Sequence, residues 1–172
     1  MRSILGKLRS RFENRPDSEH GQAFVRLAIV GLWLIYLLGA ASTQGLSGPT
    51  LPSAMMILLA ETCVGAAIMI HLVLYPGVSH VRRWVGMIGD YAAMGAMMTL
   101  GAQLAPLYVI YLWVTIGNGL RYGPRFLAAA VSLAVASFLF VILKTPYWQE
   151  HGPLAWGLLR GLILIPGYLT SL

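Results

Sequence analysis

The sequence predicts an all-α fold, a polytopic bundle of six membrane-spanning helices, on three observations. Hydrophobic residues make up 58% of the chain and charged residues 10%, a balance that soluble domains do not reach because their surfaces need charge. Six nearly contiguous apolar stretches fill it, at residues 22–42, 52–75, 84–104, 107–120, 126–143 and 154–170. The basic residues fall almost entirely in every second gap between those stretches, which is the signature of fixed orientation in a bilayer. A hydrocarbon core takes about 20 helical residues, so the fourth stretch is short and the sixth marginal, and five spans is the fallback count.

Residues 1–21 form a first unit and residues 22–172 the bundle. In the first unit Ile4, Leu5, Leu8 and Phe12 recur at helical spacing among Arg2, Lys7, Arg9 and Arg11, the pattern of an amphipathic helix lying on a membrane surface. It lacks the apolar core and cleavage site of a signal peptide. Pro16 interrupts it, and Asp17 or Ser18 is placed to cap a helix running into the first span. With six spans, one side receives Arg2, Lys7, Arg9, Arg11, Arg15, Arg26, Arg82, Arg83, Arg121 and Arg125, and the other only Lys144. Both termini are then cytoplasmic. The outer loops, 45–52, Ala105-Pro106 and 145–153, are too short for an outer domain. There is no internal repeat.

Several functions are excluded by what the chain contains. The net charge of +6 flanks apolar segments and lines no soluble face, so it speaks for membrane orientation and not for nucleic acid. Cys63 stands alone inside an apolar run, which rules out a disulfide framework or a zinc motif. No phosphate loop, kinase nucleotide box, HExxH or GxSxG is present. No catalytic module and no cofactor are expected.

Charged residues inside spans cost a few kcal/mol unless they face the bundle interior, so they are candidate sites. They are Glu61, His71, Asp90 and Arg160, with Gln103, Thr115 and Asn118 as polar company. Depth along the helices, at about 1.5 Å per residue, makes a Glu61–Arg160 pair feasible, either as a packing device or as a ligand or proton site. Asp90, Asn118 and Arg121 share the cytoplasmic end with His71, His80, Arg26, Arg82, Arg83 and Tyr122. Several of these are also ordinary interfacial anchors. Gly117-Asn118-Gly119 and Gly123-Pro124 break helical regularity there, either as a plain helix end or as the rim of a polar pocket. Gly157 and Gly161 form a GxxxG pair, read as dimerisation or close packing.

Particular strings then carry a resemblance. Asp17-Ser18-Glu19-His20, Ser79-His80-Val81-Arg82-Arg83, Asp90-Tyr91, Pro106-Leu107-Tyr108, the run from Trp113 to Gly123 and Pro146-Tyr147-Trp148 resemble the transmembrane input domain of the Rpf-type hybrid sensor histidine kinases. The resemblance runs from about residue 15 to the end, and the Trp113–Gly123 run is its most specific part. It implies a quorum-sensing input domain that recognises a cis-2-unsaturated fatty acid, diffusible signal factor, and passes the signal to a kinase module or partner. It implies signal binding around Arg15, Asp17, Ser18 and Glu19, on an N-terminal segment outside the membrane with five spans. The basic asymmetry places that segment inside. No kinase module is encoded in these residues, and they read either as a fragment of such a kinase or as a stand-alone relative. From the residues themselves, the inner-end candidates are Arg83, Asp90, Asn118, Arg121 and Tyr122, with Arg121 and Arg83 to grip a carboxylate, and the resemblance adds Trp113. Expected partners are the fatty acid, membrane lipids, and a second copy or a sensor kinase. The alternatives are a small proton-coupled transporter or lipid-handling protein that titrates Glu61 and Asp90, and a membrane scaffold that only pairs with a kinase.

Overall fold

The computed structural model describes residues 19–43 and 49–169, and among them there are helices and connections but no strand. The helices are α1 (Glu19–Thr43), α2 (Thr50–Leu74), α3 (His80–Met98), α4 (Tyr108–Tyr122), α5 (Pro124–Lys144), the short α6 (Pro146–Glu150) and α7 (Gly152–Leu169), with a 3₁₀ turn at Ala102–Leu107 leading into α4. The expected amphipathic segment, Pro16 and the candidate caps Asp17 and Ser18 lie outside the described residues. So do most of the first outer loop and the last three residues.

By length and composition α1, α2 and α5 are each apolar enough to cross a membrane. The others depart from that standard for local reasons. Helix α3 carries Arg82, Arg83 and Asp90, α4 has 15 residues, and α7 contains Arg160 and Pro166. Three of the described helices thus meet the standard, and the expectation of six spans has only the charge pattern behind it. Large apolar side chains such as Ile35, Met56, Val81, Val109, Leu120 and Leu164 are exposed on the bundle's outside, far beyond what a water-facing surface carries.

Helix α5 is the hub, packing on α3, α4, α6 and α7, while α1 packs chiefly on α2 and α2 on α3. The core around it holds Tyr91, Tyr111, Phe138 and Trp148, and the two tyrosine hydroxyls are satisfied internally. Tyr91 Oη and Thr115 Oγ1 lie 2.7 Å apart, Tyr111 Oη and Ser137 Oγ 2.9 Å, and Ser137 Oγ donates to the Tyr91 carbonyl at 2.7 Å.

Helix boundaries differ from the apolar stretches where backbone chemistry intervenes. The third helix stops at Met98, ahead of Gly101, and Pro106 sits inside the 3₁₀ turn. Gly117, Asn118 and Gly119 remain helical, and the chain breaks at Gly123. That residue adopts φ +86°, a left-handed value that favours glycine. Pro124 then opens α5 at the position where its missing N–H costs nothing.

Candidate functional site

The polar side chains of the described bundle concentrate at one end, where α1 begins, α2 ends, α3 begins and α4 ends. Two guanidinium groups organise them. Arg26, on the second turn of α1, is buried and reaches α3, where its Nε and Nη2 donate to both carboxylate oxygens of Asp90 at 2.6 and 2.8 Å. Its Nε is also 3.4 Å from Glu61 Oε1 on α2. One cation thus ties three helices together. Gly86 makes this geometry available, since a Cβ there would lie 2.5 Å from Arg26 Nη2.

The second guanidinium belongs to Arg82, also buried. Ser79 caps α3 by accepting from the Arg82 amide at 3.3 Å, which fixes Arg82 in the first turn. Arg82 Nε donates to Glu19 Oε2 at 2.8 Å, and Nη2 donates to the same oxygen. Nη2 and Nη1 also donate to the carbonyls of Gly77 and Tyr75 at 2.7 and 3.2 Å, and Nη1 lies 3.0 Å from His71 Nδ1. Every guanidinium nitrogen is engaged, as a buried arginine requires. Glu19 takes Arg83 as well, whose Nε donates to Oε1 at 2.7 Å, and the Ser79 amide at 3.3 Å. Glu19 therefore clamps the start of α1 onto the α2–α3 connection.

The two centres join through α4. Arg83 lies over the Tyr122 ring, 4.4 Å from its centroid, a cation–π contact. Tyr122 Oη donates to Gln22 Oε1, Gln22 Nε2 donates to Asn118 Oδ1 at 3.0 Å, and Asn118 Nδ2 donates to the Val114 carbonyl at 2.8 Å.

Between α1 and α4 lies a cleft, open along one side, that holds about 60 Å³ of free space. Its floor comes from α2 and α3. Arg26, Glu61 and Asp90 form a charged wall, while Ile29, Trp33, Met94 and Ile110 are among the apolar lining. Hydrogen bonds strap its two ends: Gln22 with Asn118 and Tyr122 at the polar end, and Tyr36 Oη with the Gln103 carbonyl at the other. Trp113, 63% exposed, and the exposed Arg121 stand at the rim. Among the described residues Arg121 makes no ion pair.

Seven of the described candidates fall in this region. Asp90, Trp113, Asn118 and Arg121 line the cleft, and Glu19, Arg83 and Tyr122 surround a smaller adjoining cavity. Arg15, Asp17 and Ser18 lie outside the described residues. The feasible Glu61–Arg160 pair is not formed. Arg160 is exposed on α7, which packs on α5 and α4, and Glu61 faces Arg26 instead. Asp90 shares the cleft with Arg121, but its guanidinium partner is Arg26. Gly161 packs within the bundle, where its Cβ position approaches Tyr108 Oη at 3.3 Å, and Tyr108 Oη donates to the Leu158 carbonyl at 2.6 Å. The reading from sequence missed the roles of Arg26 and Gln22. Both sit at the first span's edge, and the available signal was an arginine four residues inside an apolar stretch.

The sensory/regulatory protein RpfC from two strains of Xanthomonas campestris pv. campestris is 44% identical to this chain over 173 aligned positions, covering 100% of the chain. The chain spans about a quarter (24%) of the length of those curated relatives. No protein-family model and no solved structure matches. End to end the chain is similar to the N-terminal part of RpfC, and with its apolar helices this makes it an RpfC-like membrane input domain.

Proposed function

We propose that this domain is the sensory input of a histidine kinase in the bacterial inner membrane, and that its signal is a cis-2-unsaturated fatty acid of the diffusible signal factor class. The observation that carries the reading is the cleft: an apolar slot open between two helices, with an arginine at its mouth that has no ion pair among the described residues. The acyl tail lies along Ile29, Met94 and Ile110, and Arg121 takes the carboxylate. Each buried CH₂ contributes about 0.8 kcal/mol, so the tail supplies affinity and the head group supplies orientation. A charge-assisted, two-pronged contact suits a guanidinium.

The dimensions are compatible. From the level of Arg121 to that of Ile110 is 11 residues, about 16 Å at the helical rise. At about 1.2 Å per bond of extended chain, from the three-bond rise of an extended residue, the slot accepts roughly a dozen carbons. Six spans with both termini inside follow from the ten-to-one basic asymmetry, and put the polar end of the cleft in the inner leaflet. The bundle passes the signal to a kinase module, in the same protein or in a partner, through helix packing.

Titration calorimetry of the purified domain in detergent, with cis-2-dodecenoic acid and with saturated dodecanoic acid, tests the reading. Saturable binding that favours the cis-2 acid is expected. Equal or absent binding removes it.

A further inference from the structure

Arg160 is the sole charge in α7, the ninth of its 18 residues. Both ends of the helix are about 12–14 Å away along the axis. Its guanidinium makes no ion pair among the described residues, and the residue is exposed. It stands at the centre of a face turned away from the bundle. Trp156, 50% exposed, and Gly157, with nothing within 4 Å of its Cβ position, lie one turn before it, and Ile163, 49% exposed, lies one turn after. The opposite side of α7, with Ala155, Leu159 and Leu162, is buried where the helix packs on α5 and α4.

An arginine at the middle of a membrane helix costs about 2.5–3.5 kcal/mol, and such residues pair with an opposite charge. The described carboxylates are committed or distant. Glu61 and Asp90 share Arg26, and Glu19 holds Arg82 and Arg83. Glu150 ends α6 before α7 begins, about 12 Å along the axis from Arg160. A second copy fits poorly as well, since two-fold pairing of this face sets Arg160 against Arg160.

We propose that the exposed face of α7 docks a transmembrane helix of a different protein, one that carries an aspartate or glutamate at the depth of Arg160. This rests on the reading of α7 as a membrane span. The carboxylate meets the guanidinium in a two-pronged contact, Gly157 admits a close backbone approach, and Trp156 and Ile163 pack on either side of the pair.

The experiment replaces Ile163 by a photoreactive amino acid in the full chain in its native membrane and maps what it crosslinks. The expected adduct is on another protein, within an apolar stretch of about 20 residues that contains one Asp or Glu. It should be lost in Arg160→Leu, and return when Arg160→Glu is combined with an arginine in place of the mapped acid. The charge swap separates pairing from proximity, and unchanged melting of Arg160→Leu in detergent shows that the loss is not misfolding. Adducts on lipid alone make Arg160 an anchor that snorkels to the headgroups, overturn the proposal and leave the span standing. Adducts confined to copies of this chain, a mapped stretch without an acid, an adduct that survives Arg160→Leu, or a charge swap that fails to restore it also overturn the proposal. Adducts on neither lipid nor protein overturn the span reading of α7 together with it.

Discussion

Arg26 holds two carboxylates from two other helices, and removing it leaves Glu61 and Asp90 facing each other without a cation. Breaking a buried pair by deleting one partner costs about 3–5 kcal/mol, so Arg26→Leu should lower the melting temperature in detergent sharply. Arg160→Leu, at an exposed position, should shift stability by no more than about 0.5 kcal/mol. Similar melting of the two variants would mean that the triad is not a structural centre. Arg121 has the opposite profile, since it supports no neighbour among the described residues. Arg121→Gln should leave melting unchanged and weaken cis-2-dodecenoic acid about 10- to 100-fold, the range of one charge-assisted hydrogen bond. The choice of guanidinium partner was not legible in the sequence. Hydropathy gives the depth of Glu61 and not the rotation or neighbours of its helix, so the sequence pointed to Arg160 and passed over Arg26.

Helix ends and close approaches turn on glycines. A Cβ on Gly86 would press on a guanidinium that Asp90 already fixes, so the side chain cannot swing aside without losing its bonds. Gly86→Ala should destabilise by about 1–3 kcal/mol through this overpacking, with Gly31→Ala, which has nothing within 4 Å, as the neutral reference for melting. The break before α5 was readable from Gly123-Pro124, because proline forbids continuation and glycine supplies the positive φ. The end of α3 at Met98 was not readable. The run from Thr99 to Leu107 is as apolar as the helix before it, and only the backbone turn at Gly101 separates them.

For the molecule as a whole, composition and the alternation of basic gaps disclosed the helical class, and the gathering of candidate residues at one end was visible because Asp90, Asn118 and Arg121 come at matching depths. The cleft itself was not visible. It exists because α1 packs on α2 and leaves a gap to α4, and packing order is a three-dimensional property. Orientation remains open to a direct check in a Cys63→Ala background, using an impermeant maleimide on spheroplasts. A cysteine at Gln149, exposed beyond α5, should label. One at Val78, exposed between α2 and α3, should label only after lysis, and the reverse pattern would invert the topology.

The central claim is that a fatty acid occupies the cleft between α1 and α4, head toward Arg121. Photo-crosslinking tests it most directly, with a cis-2-unsaturated acid that carries a diazirine near its tail end, followed by peptide mapping. The account predicts adducts on Trp33, Met94 and Ile110, suppressed by excess cis-2-dodecenoic acid and reduced in Arg121→Gln. Competable adducts confined to residues 1–18, or spread over lipid-facing positions such as Ile35 and Leu164, would contradict it.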